Sequence, residues 1–459
     1  MTDVDVAVVG AGMAGLTAAS ELTRAGLSVR VLESCPRVGG RMTSFRHDGY
    51  TVDTGAEQIS PSGYRATWEL LSRLGMGDVE VPRLGGSVAM WRGGRGRPGV
   101  AEARGMLTGA GLPPRARLDL ARFQTWARRR IRRFDTDRPE STPLGGATLA
   151  EFARHYHPDL HDYLFQPVAG TFFGWDPDRC AAAAMVSLML EVGDASRWRT
   201  YRDGMDTAAR RLAAELDVVT GQQVRQVVAN GSSARVSTGA DSLTARAVLL
   251  CVPAPAAAQL HANPTDDESE FLSAATYNPA LKVSCLLERP LSPRGRGAPY
   301  ALLIPAVEDD ALSAIIFDHR KNPNRAPRGR GLLTLMPTAS TTRSLLELPH
   351  EQIVRRLTGA AERYLPGLIS ATRHNFVHRH EHGLPEVTPR SLALRPRFAA
   401  RGTRTVDYAG DWVAQRPASE GAVRSGVLAA SRVLSHLAEQ PTPIAVRAGA
   451  PDDDVKGPQ

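Results

Sequence analysis

"VDVAVVGAGMAGLTAASEL", residues 4–22, decides the fold. It starts as an apolar run, turns through three glycines and continues at helical spacing. Residues 4–9 read as a short buried strand. Residues 14–25 read as a helix with Leu16, Ala19 and Leu22 on one face. "LSVRVLE", 27–33, reads as a second strand. The unit is βαβ and sets a parallel sheet. Gly10, Gly12 and Gly15 have G-x-G-x-x-G spacing. The first glycine allows the tight turn, and the second lets backbone approach a diphosphate. The third lets helix and strand pack closely, while the helix N-terminus faces the anion. Ala14 lies in the same turn. Glu33, at the end of the second strand, is placed to accept hydrogen bonds from a ribose diol. Together these residues point to a dinucleotide site, without distinguishing NAD from FAD.

The rest of the composition is that of a globular enzyme. A chain of 459 residues buries a large core and divides into two or three domains. The net charge of +8 mildly favours anionic ligands. No base-reading motif accompanies it, so nucleic acid is not expected as a partner. Cys35, Cys180, Cys251 and Cys285 are far apart, with no metal-ligand spacing; reduced thiols are expected. No basic n-region precedes the first strand and no run reaches transmembrane length, so a cytoplasmic protein is expected.

Beyond the opening unit the texture changes twice. Residues 63–199 read as helix-rich, with loops such as "RGGRGRPG" at 92–99. A basic helical segment spans 115–138. It is a solvated face, or a contact for a membrane surface or an anionic substrate. From 206 the pattern is α/β again, through a hairpin at Asn230–Gly231 and an apolar strand over 245–253. Residues 263–389 hold strands near 280–288, 299–305 and 312–318 and a helix near 350–364. A strand and turn at 404–412 lead to a final helix over 420–437. The expected layout is a discontinuous Rossmann-like domain from 1–62, 200–262 and 390–438. An α+β substrate domain from 63–199 and 263–389 is inserted in it, and a disordered tail covers 439–459.

"ESCPRVGGRMTSF" follows the βαβ unit and contains Arg37, Gly39, Gly40 and Arg41. Glycines let backbone N–H groups reach phosphate oxygens, and arginines neutralise their charge. This arrangement resembles the E-x-x-x-R-x-G-G-R fingerprint of the FAD-dependent amine oxidase superfamily. That superfamily, of GR2-type flavoproteins, also holds protoporphyrinogen oxidases and carotenoid-type desaturases. "VDTGA", 52–56, resembles its next element. "DYAGDWVAQRPASEGAVRSGVLAA" resembles its C-terminal element. The resemblance implies bound FAD, held non-covalently. It further implies that Gly410 and Asp411 lie at the ribityl chain and that Gly421 and Ala422 open a helix aimed at the flavin. Through its backbone, Val224 would contact the adenine.

The resemblance also singles out Lys282. The chain's only lysines are Lys282, Lys321 and Lys456, among 56 basic residues. Lys282 lies in "YNPALKVSCLLERP", where Leu281, Val283, Cys285 and Leu287 alternate with Lys282, Ser284 and Leu286. Its spacing to Pro290 resembles the amine oxidase lysine that holds a water near flavin N5. The other reading is an edge-strand lysine snorkelling to water. Ala418 stands where many amine oxidases carry an aromatic cage residue. Gln58, His380 and Ala418 are candidate walls of the substrate pocket. The histidines of 374–389 form a pocket wall, a surface strand or, least in keeping with the resemblance, a metal site; none is expected. The expected activity is oxidation of a C–N bond in a small molecule, with O2 as acceptor. A desaturase or porphyrinogen-type oxidase is the alternative, and a non-catalytic escort protein of the same fold is the reading from another class.

Overall fold

The computed structural model describes residues 2–102, 105, 111–239, 241–294 and 297–439. Strands β1 (Val4–Val9), β2 (Val29–Leu32), β3 (Ser44–His47) and β4 (Tyr50–Asp53) come first. β5 (Val88–Arg92) and β6 (Arg95–Pro98) follow, then β7 (Asp217–Val219), β8 (Val224–Asn230), β9 (Ser233–Thr238) and β10 (Ser242–Leu250). The remainder are β11 (Tyr277–Leu287), β12 (Ala301–Leu303), β13 (Leu312–Phe317), β14 (Gly331–Pro337), β15 (Thr372–Pro385) and β16 (Val406–Tyr408).

One sheet runs β7-β2-β1-β10-β9-β8, with β16 also paired to β10. β7, β2, β1, β10 and β16 are parallel. β1 is apolar at nearly every position because both of its faces are covered. Val6 and Val8 pack among Leu16, Ala19 and Val433, while Ala7 and Val9 pack among Phe271, Phe398 and Trp412. The helix Met13–Arg24 lies against the final helix, Ser419–Glu439. They approach so closely that a Cβ on Gly426 would stand 2.4 Å from the Ala14 carbonyl oxygen.

The second sheet runs β15-β11-β14-β13-β12-β5-β6 and is antiparallel except between β5 and β12. β11 is an interior strand. Its Leu281, Val283, Cys285 and Leu287 enter one core with Leu333, Leu335 and Ile353. The strand's other face meets the β3–β4 ribbon, where Leu286 packs with Tyr50 and Val52. The alternation of side chains along a strand thus turns Lys282 and Ser284 toward that ribbon.

Some sequence expectations are corrected. The stretch 92–99 is a hairpin of β5 and β6, not an open loop. Gly93 and Gly94 sit at φ 59° and 77°, which a two-residue tight turn requires. The basic helix covers only Pro114–Arg129 and gives way to a short turn at Ile131–Arg133. Its buried stripe is Ala116, Leu120, Phe123 and Ala127; Ile131, next in spacing, is 47% exposed and extends nothing. Glu439 ends the final helix instead of starting a disordered tail; residues 440–459 lie outside the described residues. Among the described residues no helix is long and apolar enough to cross a membrane.

Candidate active site

The turn after β1 has three glycines for three physical reasons. At Gly10, φ is 104°, and an added Cβ would stand 2.7 Å from the Cys251 carbonyl oxygen. A Cβ on Gly15 would stand 2.0 Å from the Gly10 oxygen. Gly12 has nothing within 4 Å of the Cβ position, so it borders open space. Gly40 faces the same space: its Cβ would lie 3.5 Å from the Gly12 Cα. Gly39 N–H donates to the Ala11 carbonyl at 2.9 Å, which joins the two glycine loops. Arg37 beside them is exposed and makes no ion pair among the described residues. Open space, free backbone and an unpaired guanidinium fit a diphosphate.

Glu33 closes the loop from the other side. Its carboxylate accepts from Ala11 N–H at 2.7 Å and from Cys35 N–H at 2.9 Å. Glu33 N–H donates to the Val219 carbonyl, and Gln222 N–H donates to the Glu33 carbonyl. This brings the segment leading to Val224, the buried first residue of β8, beside Glu33. Ala14 is 5% exposed and packs at the crossing of the two long helices.

Arg41 and Asp411 form a bidentate pair, at 2.9 Å and 2.8 Å, and Arg41 also donates to the Gly383 carbonyl at 3.0 Å. One guanidinium thus ties the fingerprint loop, the C-terminal turn and the end of β15. Gly410 N–H donates to Ser425 Oγ, and a Cβ on Gly421 would stand 2.1 Å from the Arg416 oxygen. The final helix therefore starts tightly folded over its own entry loop. Ala418 and Ala422 are both partly exposed there, and Ala422 N–H donates to the Ala418 carbonyl at 3.1 Å.

Lys282 is 5% exposed, so it does not snorkel. Its Nζ donates to the Gly55 carbonyl and to Glu57 Oε1. The next residue, Ala56, donates from its N–H to the Arg41 carbonyl at 2.9 Å. The lysine is therefore one residue away from the backbone of the fingerprint loop. His378 stands opposite Lys282 across the β11–β15 pair and contacts Ser284 Oγ at 3.0 Å. Burial, and then the charge of Lys282, lowers the His378 pKa to about 4. His380, lowered mainly by burial, contacts the Thr54 carbonyl at 3.0 Å and acts there as the donor. Both rings are neutral at neutral pH. Gln58 is partly exposed and makes no side-chain hydrogen bond among the described residues.

Sequence reasoning missed Glu57, Lys321 and their neighbours. Glu57 Oε2 accepts from Lys321 Nζ. Lys321 also lies 2.6 Å from Asp318 Oδ1 and 3.5 Å from Asp53 Oδ2. Arg325 reaches Asp53 Oδ2 at 2.8 Å. Asp53, Glu57 and Asp318 are close enough to hold a cation, and the Lys321 ammonium lies against all three. The usable signal was lysine scarcity, which applied to Lys321 as strongly as to Lys282. His47, Asp48 and His374 form a second, more exposed group of potential ligands at the β3–β4 turn.

With this geometry in hand, relatives can be compared. The family profile for flavin containing amine oxidoreductase matches residues 13–434. The chain belongs to that family. It is thus a flavin-dependent oxidoreductase of the amine oxidase and protoporphyrinogen oxidase superfamily, which sets the escort reading aside. The AofH protein of Mycobacterium tuberculosis, assigned as a flavin-containing monoamine oxidase, is 27% identical over 332 residues, covering 69% of this chain and 70% of that one. Hydroxysqualene dehydroxylase of Sinorhizobium fredii is 26% identical over 476 residues, 94% of this chain and 98% of its own. The solved structure of putrescine oxidase with bound putrescine has the same fold, with TM-score 0.78 and 20% identity over 94% of this chain and 99% of that one.

Proposed function

We propose that this family member is an FAD-dependent oxidase acting on a carbon bonded to nitrogen in a small amine or amino-acid-derived molecule, with dioxygen as acceptor. The single observation that carries this reading is the placement of Lys282, buried where β11 meets the β3–β4 ribbon and one residue from the fingerprint loop. FAD, when bound, supplies the acceptor for a hydride from the substrate carbon and returns two electrons to dioxygen, giving hydrogen peroxide. The chain's own residues do the rest. The loops at Gly12 and Gly40, with Arg37, receive the diphosphate. Glu33 is placed for the ribose, Val224 for the adenine and Asp411 for the ribityl chain.

Two of the three N–H donors on the Lys282 ammonium are used by Gly55 and Glu57. The third is available to a water molecule. Such a water suits hydrolysis of an imine product to a carbonyl compound and ammonia. Between Gly410 and Ala422 the sequence has no cysteine, histidine or tyrosine, which supports non-covalent binding. Acid precipitation should therefore release the flavin into the supernatant.

Anaerobic stopped-flow with a panel of amines and amino acids tests the reading: one of them should bleach the bound flavin. Lys282→Met should slow flavin reduction or reoxidation by about 100-fold or more while flavin stays bound. Unchanged rates in both half-reactions would remove the lysine from the mechanism. The near full-length likeness to hydroxysqualene dehydroxylase and the small side chain of Ala418 favour a second reading, oxidation of a larger apolar substrate. Bleaching by a polyene or porphyrinogen, with no response to amines, selects it.

A further inference from the structure

The two described lysines meet on one carboxylate. Glu57 leaves the β4 ribbon with Oε1 on Lys282 and Oε2 on Lys321. Behind Lys321 stand Asp318 and Asp53, and behind Asp53 stands Arg325. Side-chain exposure is 13% at Glu57 and 6% or less at the other members. Three cations therefore face three carboxylates in a region with little water, and the charges balance. Burial of a single unmatched charge here would be strongly unfavourable.

The groups around Lys282 come from every packed element. The β4 loop contributes Glu57 and the Gly55 carbonyl. β15 contributes His378 and His380, both neutral near pH 7. The fingerprint loop contributes Arg37 and Arg41, whose charges act on those two rings. Lys321 lies beyond Glu57. Among the described residues, Glu57 is thus the one anion in contact with Lys282. Burial pushes the Glu57 carboxyl upward, and the ammonium groups of Lys282 and Lys321 outweigh it, bringing it to about 2. A carboxylate so held does not accept the Lys282 proton at working pH.

We propose that Glu57, braced by Lys321, is the positioning residue that holds the Lys282 side chain in place, so that its remaining N–H donor is aimed in one fixed direction. Lys321 is the part that makes this possible. With Lys282 alone as partner, Glu57 would sit near Asp53 and Asp318 with too little positive charge. The role given to Lys282 at the flavin rests on the reading under Proposed function; the pairing with Glu57 does not.

The experiment is a double-mutant cycle on the flavin-loaded protein, with Glu57→Gln, Lys282→Met and the pair together. Thermal unfolding is the first readout. Each single variant should lose several degrees, and the double variant should unfold above the less stable of them, because it removes a balanced pair. Additive losses overturn the pairing. If Glu57→Gln alone does not fold, the double variant should; its failure as well overturns the pairing. The second readout is one that a purely structural contact would not move. The limiting rate of anaerobic flavin reduction should fall at least tenfold in Glu57→Gln while the substrate KM changes little, because a displaced Lys282 alters the reacting geometry and not the binding pocket. Acylation of Lys282 at pH 8, resolved by peptide mass in a chain with three lysines, should rise at least tenfold in the same variant. An unmoved reduction rate and unmoved acylation overturn the inference even if Lys282→Met abolishes turnover. Conversely, a coupled cycle with normal half-reactions in Lys282→Met keeps the pairing and sinks the functional reading.

Discussion

The cofactor loops and the lysine cluster are neighbours with opposite electrostatic designs. Around Gly12 and Gly40, backbone borders open space and Arg37 has no counter-ion among the described residues. Around Glu57, every charged side chain already faces one of opposite sign. The first region has the open space and unmatched positive charge that suit an anionic ligand. The second is completed by the protein, so a ligand near it meets a fixed field. The two regions thus differ in what they leave open: the first has room and an unmatched charge, and the second has neither.

Three changes break or sharpen this contrast. The largest effect is expected from Gly15→Ala. Its Cβ would stand 2.0 Å from the Gly10 oxygen, so the open turn must shift. Flavin content of the purified protein, read from its visible absorbance, should fall to near zero. A normally yellow Gly15→Ala protein would mean that the turn can shift without losing the cofactor. Asp411→Asn comes next. It removes the carboxylate charge facing Arg41 and sets an amide N–H2 against one guanidinium nitrogen, losing charge-assisted hydrogen bonds of about 1.5–3 kcal/mol. Flavin affinity by equilibrium titration should weaken about 10- to 100-fold, and the apoprotein should also melt a few degrees lower, because the same pair ties three segments. The same loss of apoprotein stability with unchanged flavin affinity would assign Asp411 to the scaffold alone.

The smallest effect concerns pH. The His378 pKa is lowered from 6.5 to about 4 by burial and then by Lys282. The unfolded chain binds that proton more tightly, so stability is complete above about 6.5 and is lost as pH falls toward 4. His378→Gln should flatten this acid limb by a few degrees in a melting series. An identical acid limb would assign the sensitivity to His380 or to the carboxylates of the cluster.

The contrast also explains what the sequence revealed. Gly10, Gly12 and Gly15 are readable because backbone geometry fixes their spacing within one turn. Glu33 is readable because the strand that carries it has a set length. The lysine cluster obeys no spacing rule. Glu57, Lys282 and Lys321 come from three elements and meet only after the β3–β4 ribbon covers β11. A lysine in an apolar strand was visible, and its inward direction followed from strand alternation. Its partner was not, because "VDTGAEQ" reads equally well as a loop with a solvated acid. The hairpin at 92–99 was missed for a local reason: Gly93 and Gly94 mark a loop as readily as a tight turn.

The packing of Gly426 on Ala14 has a consequence for how the chain is made. β1 and the helix after it are made long before two of their neighbours in the sheet and helix layer, residues 242–250 and 419–439. The apolar faces of Val6, Val8 and Leu16 must wait for Val433 and its helix. Contacts so distant in sequence form slowly and leave apolar surface uncovered meanwhile. Birth order and architecture run against each other here, so a segment made before its partners stays uncovered until they arrive.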